Sequence, residues 1–250
     1  MRYLEGKTAL VTGGSRGLGR AIVHALAAED ADVWALARDA ARLDELKHEV
    51  AGVQTVVGDV TDPQTAPLTL HTVRPDILVL NAGVTPTMGP VHQQSWEQFS
   101  QTWNTDVYMA FSFGTQALVQ PLAPGSTVII VSSGAAVGGS SFSGGYAGAK
   151  RMQWFLADYL QQESDALHRD IRFVALLPRQ IIPSTTLGHA ASTAYAALQG
   201  ISQQTFIERA GPPLTPQAVG SAVVALLTDP AYRNGSAFVV TSHGLESLDT

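Results

Sequence analysis

The chain has no cysteine in its 250 residues. That removes disulfides, thiolate metal sites and a cysteine nucleophile, and makes a reducing, cytoplasmic setting the expectation. Charge is scarce too: 14% of residues are Asp, Glu, Lys or Arg, with 15 basic against 21 acidic and a formal net charge of −6. Nucleic-acid surfaces need clustered Lys and Arg. Here the basic residues are scattered, so no nucleic-acid partner is expected and any anion must be held locally. The seven histidines show no i, i+4 pairing, and no metal site is expected. A membrane span is also missing. The stretch from Val107 to Ala149 carries no Asp, Glu, Lys or Arg, but Pro121, Pro124 and the glycines between Gly134 and Gly145 interrupt it. Its continuous apolar core is only Val128-Ile129-Ile130-Val131, far short of the ~20 residues a span requires. The opening Met-Arg-Tyr-Leu-Glu-Gly-Lys has a charge inside any would-be apolar region, so no signal peptide is expected.

What the chain does have is apolar residues, 45% of the total, enough for a large core and too many for a disordered chain. Short β-branched runs recur at Thr8–Val11, Val33–Ala37, Thr55–Val57, Ile77–Leu80, Thr127–Val131, Phe173–Leu177 and Ala237–Val240. Between them lie segments of helical spacing: Leu18–Ala28, Ala40–Val50, about Asp62–Val73, Trp96–Leu118, Tyr146–Gln162 and Thr215–Leu227. This alternation predicts one α/β domain over residues 1–250, a doubly wound, mainly parallel sheet of seven strands with helices on both faces. Residues 183–213, rich in Ala, Ser, Thr and Gln, follow the sixth strand, where a cover for a substrate site would lie.

Directly after the first strand comes Thr12-Gly13-Gly14-Ser15-Arg16-Gly17-Leu18-Gly19, and a helix opens there. Gly13 allows a tight turn, Gly17 lets backbone N–H groups approach a pyrophosphate, and Gly19 lets helix and strand pack closely. The helix N-terminus then faces the anion with free donors and a partial positive charge. A plain strand-to-helix turn could use the same residues, but the position in the first βαβ unit favours a phosphate loop.

The spacing Thr-Gly-x-x-x-Gly-x-Gly is followed in order by Asp59-Val60, Asn81-Ala82-Gly83, Asn104, Ser133 and Tyr146-x-x-x-Lys150. In these motifs the chain, from about Lys7 to Val240, resembles the short-chain dehydrogenase/reductase family. The resemblance implies a Rossmann-like fold and a hydride-transferring enzyme. Tyr146 and Lys150 lie four apart at a helix start and so share one face, toward the C-terminal strand ends where doubly wound folds bind ligands. Ser133 lies thirteen residues before Tyr146, the separation usual in the family, whereas Ser132 is expected to point to the other face. Reducing a carbonyl leaves an alkoxide that needs a hydroxyl donor and an acid. Ser133 and Tyr146 suit those roles. A free phenol ionises only near pH 10, and a neighbouring ammonium such as Lys150 favours the phenolate. By resemblance, Lys150 also holds the nicotinamide ribose and Asn104 supports a water-linked proton route. Taken singly, Tyr146 could be a packed aromatic and Lys150 a surface cation; the set as a whole carries the reading.

The second strand ends Ala37-Arg38-Asp39. Ala37 stands where relatives that prefer NAD place an acid, while Arg38 and Arg16 offer planar donors to a 2′-phosphate. NADP(H) is therefore expected over NAD(H), with Asp39 read as a helix N-cap rather than a ribose ligand. Cofactor contacts are expected from Gly13, Ser15, Arg16, Gly17, Leu18, Gly19, Arg38, Asp59, Val60, Asn81, Ala82, Gly83, Tyr146, Lys150 and Ile181. The family's Pro-Gly-x-x-x-Thr after the sixth strand is here Pro178-Arg179-Gln180-Ile181-Ile182-Pro183, and its Asp-Gly-Gly ending is Ser242-His243-Gly244. Phe111, Phe113, Trp154 and Phe155 lie on the two helices that similar proteins use for subunit packing. A homodimer or homotetramer is expected by resemblance, unless these aromatics belong to the monomer core. The leading reading is an NADP(H)-dependent carbonyl reductase acting on a small carbonyl or alcohol. A nucleotide-binding sensor without turnover, or a nucleoside-utilising transferase on the same scaffold, remain the alternatives.

Overall fold

A computed structural model describes residues 3–248. One sheet runs through it, built from β1 (Thr8–Thr12), β2 (Asp32–Ala37), β3 (Gln54–Val57), β4 (Ile77–Leu80), β5 (Thr127–Val131), β6 (Arg172–Pro178), β7 (Ala237–Thr241) and β8 (Gly244–Ser247). The order is β3-β2-β1-β4-β5-β6-β7-β8. The first seven strands pair in parallel, and β8 returns antiparallel on β7. This eighth strand is one more than the sequence patterning predicts. Gly-Leu-Glu-Ser has one apolar residue and no alternation to read, and only its pairing with β7 makes it a strand.

Neighbouring residues in each strand enter opposite layers, as the two-residue period requires. Val11, Val79, Ile129, Val174 and Phe238 pack on one face with Ile22, Leu26, Leu43, Val219 and Val223. These come from α1 (Gly17–Ala28), α2 (Ala40–Glu49) and α9 (Pro216–Thr228). Leu10, Leu78, Leu80, Ile130, Phe173 and Val239 pack on the other with Leu70, Met109, Phe113, Trp154 and Leu160. Those helices are α3 (Thr65–Val73), α5 (Tyr108–Val119) and α6 (Tyr146–Ala166). Burial on both faces explains why the central strands lack polar alternation. Phe113 and Trp154 are thus core residues, while Phe111 and Phe155 face outward.

The segment predicted as one helix over Trp96–Leu118 is interrupted. α4 (Trp96–Thr102) opens with a capping box in which Ser95 and Gln98 bond each other's backbone. It then widens into a π-helical turn at Trp103–Val107 before α5 continues. Such a turn shifts which side chains face inward: Asp106 is buried, while Trp103 and Asn104 are exposed. Residues 183–213 are not a plain loop either. They hold α7 (Thr186–Leu198) and α8 (Gln203–Arg209), capped by the side chains of Thr185 and Ser202.

α1 and α9 lie against each other, and Gly220 is the reason they approach so closely. A Cβ there would stand 2.8 Å from the Ala21 carbonyl oxygen and 3.0 Å from the Ala25 Cβ. Gly220→Val should force the helices apart and lower stability by about 1–3 kcal/mol, read as an earlier urea midpoint. An unchanged midpoint would show that the pair yields without cost.

Candidate active site

The strand order reverses between β1 and β4, and a crevice opens there beyond the C-terminal strand ends, where open α/β sheets bind ligands. It is a cleft of about 900 Å³. Thr12, at the end of β1, ties its floor together: its hydroxyl accepts the Asn81 and Ala82 N–H groups at 2.9 and 3.1 Å and reaches the Val79 carbonyl at 3.3 Å. The Asn81 amide returns a bond to the Thr12 carbonyl at 3.0 Å.

The glycine loop follows. Gly13 and Gly17 have φ of +69° and +53°, left-handed values that favour glycine. A Cβ on Gly19 would lie 2.2 Å from the Gly13 carbonyl oxygen. Arg16, in extended conformation, precedes α1, and no side chain caps that helix. The first-turn N–H groups are therefore available to an anion. Gly13, Ser15, Arg16, Gly17, Leu18 and Gly19 all line the cleft.

At the end of β2, Asp39 caps α2 by accepting the Arg42 N–H at 3.2 Å and also pairs with the Arg42 side chain. Arg38 leans on Asp59 at 3.5 Å, with both side chains substantially exposed. Hydrogen bonds from the Thr61 backbone, then from its hydroxyl, and the Arg38 charge hold the Asp59 carboxyl below its ordinary range against some desolvation. Arg38, Asp59, Val60, Asn81, Ala82, Gly83 and Ile181 line the same cleft.

Ser133, Tyr146 and Lys150 converge at its other end. Ser133 leaves β5 and its Oγ accepts the Ala135 N–H at 3.2 Å. Ser132 instead turns its hydroxyl to the Lys150 carbonyl at 2.7 Å. Tyr146 opens α6, and the buried Lys150 Nζ lies 5.6 Å from the centre of its ring. The same ammonium meets Asp106 Oδ2 at 3.0 Å and the Gln153 amide oxygen at 2.9 Å. Desolvation works against the Lys150 charge, but Asp106, Tyr146 and the hydrogen bond to Asp106 together raise its pKa above that of an ordinary lysine.

The structure does not bring Asn104 into this group. It is exposed, bonds Ser100 through its amide at 3.3 Å, and is not among the residues lining the cleft. The π-helical turn presents Asp106 there instead. A signal for Asp106 was available: it is the last charge before the uncharged run from Val107 to Ala149, and Lys150 is the next. Two further cleft residues, Thr185 and Tyr195, come from residues 183–213, whose helices the sequence patterning does not predict. Tyr195 hydrogen-bonds Ser140, stacks on Phe206 and tilts against Phe142. Arg179 lines the cleft with its backbone against Gly134, where a Cβ would come within 2.8 Å of its Cα.

A family model for short chain dehydrogenase matches residues 7–193. The chain belongs to this family. An L-xylulose reductase from Mesocricetus auratus is 36% identical to this chain over 133 residues, 52% of this chain and 54% of that protein. A tropinone reductase homolog from Arabidopsis thaliana is 37% identical over 160 residues, 58% and 59% of the two chains. The chain thus spans about half the length of the curated relatives it matches. The crystal structure of levodione reductase superposes with a TM-score of 0.82 over 95% of this chain and 96% of that one, at 22% identity. It shares the fold.

The floor of the cleft depends on one hydroxyl. Thr12→Val keeps the shape but leaves the Asn81 and Ala82 N–H groups without their acceptor, which should cost about 1–3 kcal/mol. Urea denaturation of the variant checks this, and a loss within a few tenths of wild type would contradict it.

Proposed function

We propose that this chain is an NADP(H)-dependent oxidoreductase that interconverts a carbonyl and a secondary alcohol. The observation that carries the reading is that Tyr146, Ser133 and a buried Lys150 ammonium converge in the same cleft as an uncapped glycine-loop helix. The glycine loop fits a dinucleotide. Its close backbone packing at Gly13 and Gly19 admits no side chain, and the opening of α1 offers free N–H donors. Residues 15–19 would hold the pyrophosphate, Asp59 and Val60 would flank the adenine, and Asn81 to Gly83 with Ile181 would line the middle and nicotinamide half. When bound, the nicotinamide supplies or accepts the hydride.

The chain's own groups handle the oxygen and its proton. Ser133 Oγ already accepts an N–H, which leaves its own proton free to donate to a substrate oxygen. Tyr146 supplies the proton in reduction and takes it in oxidation. Lys150 keeps a positive charge 5.6 Å from the centre of the Tyr146 ring and would offer a donor to the ribose of a bound cofactor. Relatives named as reductases of L-xylulose and, by homology, of tropinone favour reduction of a small ketone. Residues 183–213 would cover it, since Thr185 and Tyr195 already border the cleft.

Arg38 and Arg16 support NADP(H). Arg38 is 65% exposed and only loosely held by Asp59, so a 2′-phosphate dianion can recruit it. Residues 1–250 would act as one domain in the cytoplasm, a setting favoured by the cysteine-free sequence. No helix among the described residues is long and apolar enough to cross a membrane. On α5 and α6, Phe111, Phe155 and Tyr159 are exposed, with Phe155 and Tyr159 stacked and Arg151 over Phe155 at 4.7 Å. This face supports a homodimer or homotetramer.

A panel of ketones with NADPH tests the chemistry. Tyr146→Phe should lower turnover by about 10²–10⁴-fold while NADPH still quenches protein fluorescence at similar concentrations. No turnover of any ketone by wild type, despite tight NADPH binding, would favour the sensor reading. Arg38→Asp should raise the KM for NADPH by about tenfold or more and leave or improve that for NADH. Equal effects on both cofactors would argue against a 2′-phosphate site.

A further inference from the structure

The uncharged run from Val107 to Ala149 is bracketed by Asp106 and Lys150, and the fold closes that bracket as a buried ion pair of 3.0 Å, with side-chain exposures of 2% and 7%. We propose that Asp106 is a positioning residue whose carboxylate keeps the Lys150 ammonium charged and fixed beside Tyr146, and so sets the upper pH limit of reduction. The inference rests on the reading of the site given above.

Each atom of the carboxylate has a task. Oδ1 accepts the Val84 N–H at 3.0 Å, and Oδ2 takes the ammonium. Gln153 holds the residue from behind, donating to the Asp106 carbonyl at 3.0 Å while its amide oxygen accepts from Lys150. Two of the three ammonium donors are thereby committed and one remains. A neutral amide at position 106 could accept the Val84 N–H through its oxygen, but its NH₂ would then face another donor. Only a carboxylate satisfies both neighbours in this arrangement.

The charged surroundings are simple. Around Lys150, the titratable groups that line this end of the cleft are Asp106 from the π-helical turn, Tyr146 on α6 itself, Tyr195 from α7 and Arg179 after β6. β4, β5 and the turn at Gly134–Ala136 contribute none. α4 and α5 also pack on α6, but their Glu97 and Tyr108 do not line the cleft. Asp106 is thus the one carboxylate at that end among the described residues. Its direction of effect agrees with the charge held on Lys150 despite desolvation.

Neutralising Asp106 removes the partner that holds the proton on Lys150. Reduction needs a charged Lys150 and a protonated Tyr146, so its alkaline limb should move to lower pH. The chain has three lysines, Lys7, Lys47 and Lys150, and Lys7 and Lys47 are about half-exposed internal references. Lysine labelled with ¹³C at Cε therefore gives three resonances to titrate by NMR in the full-length protein without cofactor. In wild type, Lys150 should hold its charge to a pH above that at which Lys7 and Lys47 discharge. In Asp106→Asn it should titrate lower by about one pH unit or more, and the alkaline limb of kcat/KM for ketone reduction should shift in the same direction. An unmoved Lys150 resonance, or a uniform loss of activity with an unmoved limb, would reduce Asp106 to a structural part and overturn the proposal. So would a wild-type Lys150 that discharges before the references, a result that needs no variant to fold. The NMR arm needs no turnover, so it decides the matter even if the redox reading itself fails.

Discussion

An ammonium group taken out of water needs an opposite charge, and in this chain that requirement organises the chemical end of the cleft. Burying an ion unpaired costs several kcal/mol, and breaking a buried pair by deleting one partner costs about 3–5 kcal/mol. Lys150 on α6 meets Asp106 from a turn that follows α4, and Asp106 in turn holds the chain leaving β4 through the Val84 N–H. Three separate elements are joined at one carboxylate. The π-helical turn at Trp103–Val107 is where the chain bends to put that carboxylate inward.

The two ends of the cleft solve different problems. At the glycine loop, the fold presents backbone donors and leaves no room for a side chain at Gly13 or Gly19, which suits an anion held by dipoles, with Arg16 and Arg38 lining the cleft beside it. At the Tyr146 end it presents side chains that can hold or move a proton, with the nearby charge enclosed where solvent screens it little. Thr12 links the two ends, because its hydroxyl fixes the chain after β4 to the end of β1. In an acidic protein with few basic residues, such a division would make the positive potential that a polyanion needs locally.

Much of this was legible in the sequence. Strand runs with no polar alternation announced a sheet covered on both sides, and the glycine spacing, the Ser133-to-Tyr146 interval and the Tyr146–Lys150 step place their residues in one cleft. Asp39 is the helix cap that its neighbours suggested. The misses have physical causes. β8 has no hydrophobic period, α7 is dominated by Ala and small polar residues, and α8 is only seven residues long, so their plainest signals are the caps Thr185 and Ser202. The resemblance points to Asn104, and that expectation holds only on a regular helix. The π-helical turn breaks that regularity and brings residue 106 inward, so an asparagine exposed to solvent stood in for a buried acid.

Gly83 shows how tightly these positions are bound to one another. A Cβ there would lie 2.7 Å from Asp106 Oδ2 and 2.9 Å from its Cγ, so the carboxylate occupies the room that the missing side chain leaves. Any lineage or engineering effort that enlarges residue 83 must first relocate the acid. Conversely, a variant shortened at 106 opens a void that a larger residue at 83 is placed to fill, and the two sites can be expected to drift only as a couple.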